Sequence, residues 1–346
     1  VFVTVLSGST LGSGNGIVVP KDSPVTSLSE LRGKTISVPF ASAAHGMLLR
    51  ALKAQGLDPA KDVNIISQAP EVAGPALQAD KIDAHADFVP FAEAFPYRGY
   101  ARKIYDGAQS RTPTFHGTLI NSDFGRKYPE VVIAFLRASI EADRIMASDP
   151  EKYSELIEKV TGIEAPVSYL FHGPLGLQTR EHAFLPAYRQ ALQTAIDTLR
   201  LLRRTDTTLD AGALIDDSYI RAAYRQSGLN YDAALKASGV EVFKGRDAVT
   251  GKPITDTRHL AGIWVKGEAK VRHYASVNEA VGDLARLEKS GKTARALYVH
   301  DLIHHIKLLG SLAWYTVDAK GDVSAFLQKD AAVAYAAANK GRVVDF

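Results

Sequence analysis

The sequence predicts an α/β fold built on a parallel sheet, and three observations carry that prediction. From Val1 to about Arg111, short β-branched runs alternate with stretches of helical period, the βαβα order that covers both faces of a parallel sheet. TISVPFASAAHGM at Thr35–Met47 joins one such run to a helix through a turn of small residues. Beyond Phe115 the texture turns helical, and beyond the polar stretch Gly245–Thr257 it becomes a mixture of short strands and a few helices, an α+β pattern.

Taken in order, the expected strands of the first region are Gly16–Val19, Thr35–Val38, Val63–Ile66, Ile82–Ala86 and Arg102–Tyr105, preceded by a Val1–Leu6 run. Helices are expected at Ala44–Gln55, Val72–Ala79 and Val89–Phe95, with a short one at Ser27–Leu31 closed by Gly33. Phe115–Asn121 reads as a strand. Val132, Phe135, Leu136, Ile140 and Ile145 then recur at helical spacing over Tyr128–Ala147. Asp149 caps and Pro150 opens the next helix, Glu151–Thr161, because proline lacks the N–H that a first turn leaves unused. Pro186–Arg204 and Ser218–Gln226 are amphipathic helices, the second capped by Asp216–Asp217. In the last region Leu260–Val265, Lys270–Tyr274, Ala294–His300, Ala313–Val317, Val323–Phe326 and Arg342–Phe346 read as strands, with helices at Val277–Lys289 and Asp330–Lys340.

Composition narrows the function classes. The 346 residues allow two or three domains, and 41 basic against 38 acidic residues, without long runs, argue against a nucleic-acid face. The chain has no cysteine, which excludes disulfides, thiolate metal sites and cysteine nucleophiles. No uninterrupted run of about 18 apolar residues is present to span a membrane. Hydrolytic motifs are missing as well: there is no G-x-S-x-G, no H-E-x-x-H and no P-loop lysine. GSGNG at Gly12–Gly16 precedes a strand rather than a helix, so it reads as a flexible connection. No cofactor is expected.

The turn Ala41–Gly46 is the first candidate site. The opening N–H groups of a helix have no partner within it and carry the positive end of its dipole, so an anion can sit there. Ser42 can cap that helix and offer a hydroxyl, and His45 lies in the first turn. An ordinary βα turn with no ligand is the alternative. His172, beside aromatics, reads as a packing residue. VHDLIHH places His300 four residues before His304, a metal-pair spacing if the segment is helical, although Ala296–Val299 looks like a strand. Solvated surface histidines are the alternative.

Three stretches then show a family resemblance. GIVVPKDSPVTSLSELRGKTISVPFASAAHGMLLRAL at Gly16–Leu52, ALQADKIDAHADFVPF at Ala76–Phe91 and the segment Asp123–Leu136 resemble the nitrate/sulfonate/taurine family of ABC-transporter substrate-binding proteins, over about 1–235. The resemblance implies a type II periplasmic binding protein fold of two α/β lobes. Lobe one would comprise 1–26 and 115–240, lobe two 27–114, and a linker 241–257 would follow. Family members begin with further residues of lobe one, so that lobe is expected to be incomplete, with any targeting segment outside the chain. The implied function is capture of a small organic anion such as a sulfonate, taurine or nitrate, without catalysis, by hinge closure of the lobes. A periplasmic location, a monomeric state and ABC permease partners are implied too.

On that resemblance the cleft would be lined from several places. Ser9, Thr10 and Asn15 would come from one loop, and Ala41, Ser42, Ala43, Ala44 and His45 from the small turn. Asp87, Phe88 and Phe91 would follow a strand, and His116 would lie on the return crossing. Asp87 would read an amine or hydroxyl, or serve only as a helix cap. A heteroaromatic thiamine-precursor ligand is an alternative. The related pyrimidine-making enzymes use a cysteine-bearing iron motif that this chain cannot supply. Residues 258–346, through ARALYVHDLIHHIKLLGSLAWYTV and AFLQKDAAVAYAAANKGRVVDF, resemble the NosL accessory family of nitrous-oxide reductase. That resemblance implies copper handling as a second function, although Met47 and Met146 lie outside the region and soft ligands are otherwise lacking.

Overall fold

The computed structural model describes residues 2–206, 208–237 and 241–345. Val1 and Phe346, at the ends of two expected strands, and the expected lobe boundary at Val240 lie outside them. The chain opens with β1 (Phe2–Ser9), crosses through Thr10–Asn15 and enters a five-stranded sheet as β2 (Gly16–Pro20). That sheet is completed by β3 (Thr35–Val38), α1 (Ala43–Ala54), β4 (Asn64–Ser67), α2 (Pro70–Gln78), β5 (Ala84–Asp87), α3 (Phe91–Tyr97) and β6 (Ala101–Asp106). Its order is β4-β3-β5-β2-β6.

The sheet is mixed rather than wholly parallel. β3 runs parallel to β4 and β5, whereas β2 is antiparallel to β5 and β6. The reason lies in the entry point. Gly16, where β2 starts, pairs with Asp87 and Asp106, where β5 and β6 end. The other four strands therefore run toward the crossing while β2 runs away from it. Apolar clusters fill both faces, with Ile17, Ile36 and Leu48 on one and Val18, Leu77 and Phe95 on the other. This is the near-continuous burial that a covered sheet requires.

The return crossing leads into β7 (Thr114–Ile120), antiparallel to β1. Two glycines make the crossings possible. A Cβ on Gly12 (φ 87°) would lie 2.0 Å from Thr112 O, and one on Gly107 would lie 2.2 Å from Gly12 O. The two passages thus touch backbone to backbone, and Gly107 N donates to Asn15 O at 2.8 Å. Helices follow: α4 (Ser122–Lys127), α5 (Pro129–Ser148), α6 (Pro150–Thr161), α7 (Ala165–His172), α8 (Pro186–Leu201), α9 (Ser218–Gln226) and α10 (Tyr231–Ala237). Asp149 accepts from Lys152 N at 3.1 Å to start α6, and Gly162 (φ 76°) ends it in the left-handed conformation. Val5, Leu136, Tyr188 and Ile220 form the core beneath β1 and β7.

The C-terminal module holds β8 (Ala261–Val265), β9 (Arg272–Tyr274), α11 (Val277–Lys289), β10 (Ala294–His300), β11 (Lys307–Leu309), β12 (Trp314–Val317), β13 (Val323–Phe326), α12 (Lys329–Ala338) and β14 (Arg342–Val344). It forms an antiparallel sheet of order β11-β10-β8-β9 and another of order β13-β12-β14. Within the stretch expected as linker, Asp247 is buried. It accepts from Ala275 N at 2.9 Å, and Ala248 N donates to His273 O at 2.8 Å. No described helix is long and apolar enough to cross a membrane.

Candidate ligand site

β3 delivers the chain to the turn before α1 by purely local rules. Ser42 takes an extended conformation as N-cap and accepts from His45 N at 3.2 Å, while Ala41 (φ 63°) makes the bend. Ser42, Ala43 and Gly46 of this first turn line a cavity of ≈ 140 Å³. Its walls come from α1 (Ser42, Gly46, Arg50), the return crossing (Thr112–Phe115) and α8 (Ala191, Thr194, Thr198). Helix α1 of the five-stranded sheet and helix α8 therefore face each other across it.

Arg50 gives the cavity its charge. Its Nη1 donates to Thr198 Oγ1 at 3.3 Å, and Thr198 Oγ1 donates onward to Thr194 O at 2.7 Å. Arg50 Nε is buried without a partner, and no carboxylate pairs with this guanidinium among the described residues. Burial accordingly pulls its pKa down, only partly offset by Tyr105. A half-buried cation beside a helix N-terminus is a costly arrangement that an anion relieves. Gly46 lets the two helices approach: a Cβ there would lie 3.0 Å from Thr198 Cγ2.

The structure brings only part of the expected residue set to this cavity. Ala41, Ser42 and Ala43 line it, but Ala44 packs into the core beneath the sheet. His45 turns back on its own loop, where Nδ1 accepts from Ala41 N at 3.2 Å and the ring stacks on Phe40. Burial, aided by Arg204, lowers its pKa and favours a neutral ring. Ser9 is buried against Ser13 at 2.9 Å, and both share a small cavity with Thr10, Leu177 and His305 on the side of the C-terminal module. Asn15 is buried at the crossing.

Asp87 is fully buried and already engaged, by His85 Nε2 at 2.7 Å and by Phe88 N at 2.8 Å. His85 Nδ1 in turn meets Ser37 Oγ at 2.7 Å. All three side chains are fully buried, with His85 packed on Phe95 of α3, so this line of Ser, His and Asp is closed to solvent. Phe88 and Phe91 pack edge to face, 6.3 Å apart, against the sheet cores. His116 bonds Ser7 Oγ at 3.1 Å and Gln178 Nε2 at 3.3 Å, away from the cavity lining.

Residues that sequence reasoning passed over complete the site. Gly46 and Arg50 follow the expected Ser42 at steps of four and so lie on its side of the helix, a signal available in the sequence. The α8 threonines carried no such signal, because only tertiary packing sets them opposite α1. Elsewhere, His172 accepts from Arg180 Nε at 3.3 Å, and burial brings its pKa down to about 3. His300 is not helical: it ends β10, with Nδ1 on Leu260 O at 2.9 Å, while His304 follows in a turn capped by Asp301. His273, His300 and Lys307 line a cavity of ≈ 10 Å³, room for no more than a water. Among the described residues no cluster of three metal-ligating side chains occurs.

Comparison with known proteins places this geometry in context. Residues 5–153 match the family described as NMT1/THI5 like. The chain is 28% identical over 208 residues to the taurine-binding periplasmic protein of Escherichia coli K12, covering 57% of this chain and 63% of that protein. It is 31% identical over 161 residues to a protein of the same organism named for aliphatic sulfonates binding, covering 46% and 50%. The chain thus spans only part of the length of the curated relatives it matches. The crystal structure of the periplasmic aliphatic sulphonate binding protein SsuA from Escherichia coli superposes with a TM-score of 0.51 at 26% identity, over 63% of this chain and 75% of that one. The copper chaperone NosL from Shewanella denitrificans matches 32% of this chain with a TM-score of 0.28, too low to support an argument. Together these findings give the chain the α/β fold of periplasmic binding proteins.

Proposed function

We propose that this chain is a substrate-binding component of an ABC importer that captures a small organic anion, such as a short sulfonate, between its lobes. The observation that carries the proposal is Arg50, an unpaired, half-buried cation in the same cavity as the open first turn of α1. Two positive features converge there with no carboxylate paired to Arg50 among the described residues, and the threonines of the facing helix add hydroxyls. The relatives named for taurine and sulfonate binding support the same ligand class. In this reading the chain acts by binding rather than turnover, as a periplasmic monomer that presents its solute to membrane permease subunits.

A thermal-shift screen with ethanesulfonate, taurine and nitrate tests this. At least one anion is expected to raise Tm. Arg50→Gln, with its fold checked by circular dichroism, is expected to bind that anion roughly 10- to 100-fold more weakly, the scale of a hydrogen bond to a charged group. An equal shift in both proteins, or no shift with any anion, would sink the proposal.

A further inference from the structure

The C-terminal module grips both sides of the interlobe joint. On lobe one, Tyr298 Oη donates to Pro166 O at 3.0 Å, Lys307 Nζ to Pro174 O at 3.2 Å, and Val271 N to Glu151 at 3.1 Å. On lobe two, Tyr97 Oη of α3 donates to Arg295 O at 3.2 Å. The same Arg295 reaches back through its guanidinium to Glu155 and Glu158 of α6, at 2.9 Å each. Beside these links Arg98, next to Tyr97, forms a two-pronged bond to Glu164 at 2.6 and 3.2 Å, joining the lobes directly.

A single apolar cluster runs beneath all of these contacts. It takes Ala94 from α3, Tyr169 and Leu170 from α7, and Trp264, Tyr298 and Leu308 from the module. Lobes joined by two strands alone move freely by default, and a substantial apolar interface is what removes that freedom. Turning lobe two against lobe one here has to slide α3 across α7 and the module. A packed interior repacks between discrete arrangements and does not shear smoothly.

From this we infer that the C-terminal module is a strap that fixes the angle between the lobes, so the cleft is preset and does not close around its guest. A preset cleft lowers the ordering cost of capture. The inference holds whatever solute is bound.

The absence of cysteine allows a direct test. Lys81→Cys on lobe two and Glu130→Cys on lobe one, both at exposed positions, take two spin labels without competing sites. Pulsed electron paramagnetic resonance on the full, ligand-free chain is expected to show one narrow distance. Adding Tyr97→Ala and Arg98→Ala is expected to broaden that distance or add a second. Tyr97→Phe, which removes only the hydroxyl that meets Arg295 O, replaces the pair if circular dichroism shows that the pair does not fold. Two distances in the chain with an intact strap, or an unchanged narrow one after the strap is cut, overturns the inference. No ligand enters the measurement, so its outcome is separate from the fate of the proposed function.

Discussion

Lys307 shows how far a single side chain can be pushed by its surroundings. Its ammonium lies over the rings of Tyr169 and Tyr298, at 4.1 and 5.0 Å, with Pro174 O as its hydrogen-bond acceptor. Burial brings its pKa down to about 7, with Glu241 and Glu151 offsetting only part of the cost. The folded value lies below the free lysine value. Between about pH 7 and the unfolded pKa near 10.4 the unfolded chain therefore holds the extra proton, and stability is lost as pH falls through that window. Lys307→Met is expected to raise Tm at pH 7 and to flatten the dependence of Tm on pH between 7 and 10. Parallel profiles for the two proteins would show that this amine is not neutral in the fold. Below that range His273 and His300, both brought down to about 4 chiefly by burial, take over. Their neutral rings stabilise the fold above pH 6.5, and that contribution disappears as pH falls from 6.5 toward 4.

At the level of elements, the pairing of α1 with α8 defines the site. Gly46→Val would place branched carbons against Thr198 Cγ2, already 3.0 Å from a bare Cβ, and so push α8 away from Arg50. The expected cost is about 1–3 kcal/mol of stability, read by urea unfolding, with loss of anion-induced stabilisation. Retained binding at full stability would move the site elsewhere. The strand, cap and first turn around Ser42 were legible in the sequence because capping is a contact over three residues. Likewise Asp149 and Pro150 announced the start of α6. The antiparallel run of β2 was not legible, since strand direction depends on where the chain enters the lobe. The surroundings of His45 and Asp87 were hidden for a related reason. Each is a polar residue beside a turn, and only the packed structure shows that one folds back on Phe40 and the other is locked to His85.

On the scale of the whole molecule, one apolar cluster joins α3, α7 and the C-terminal module. Calorimetry is expected to show a single unfolding transition for the full chain, because losing β8 and β10 uncovers Tyr169 and Leu170 of α7. Two well-separated transitions would mean that the apolar cluster spanning α3, α7 and the module contributes little. Sequence texture separated the last region from the rest through its change to α+β, but how the module docks was invisible. Its contacts pair residues more than a hundred positions apart, such as Tyr97 with Arg295. The contact of Gly12 with Gly107 and Thr112 has a consequence of its own. With glycine at both points of closest approach, any side chain added at position 12 or 107 would collide with the backbone of the other passage. Tuning toward a different guest is therefore expected in the cleft walls or in the clasp behind them, and not at these two glycines.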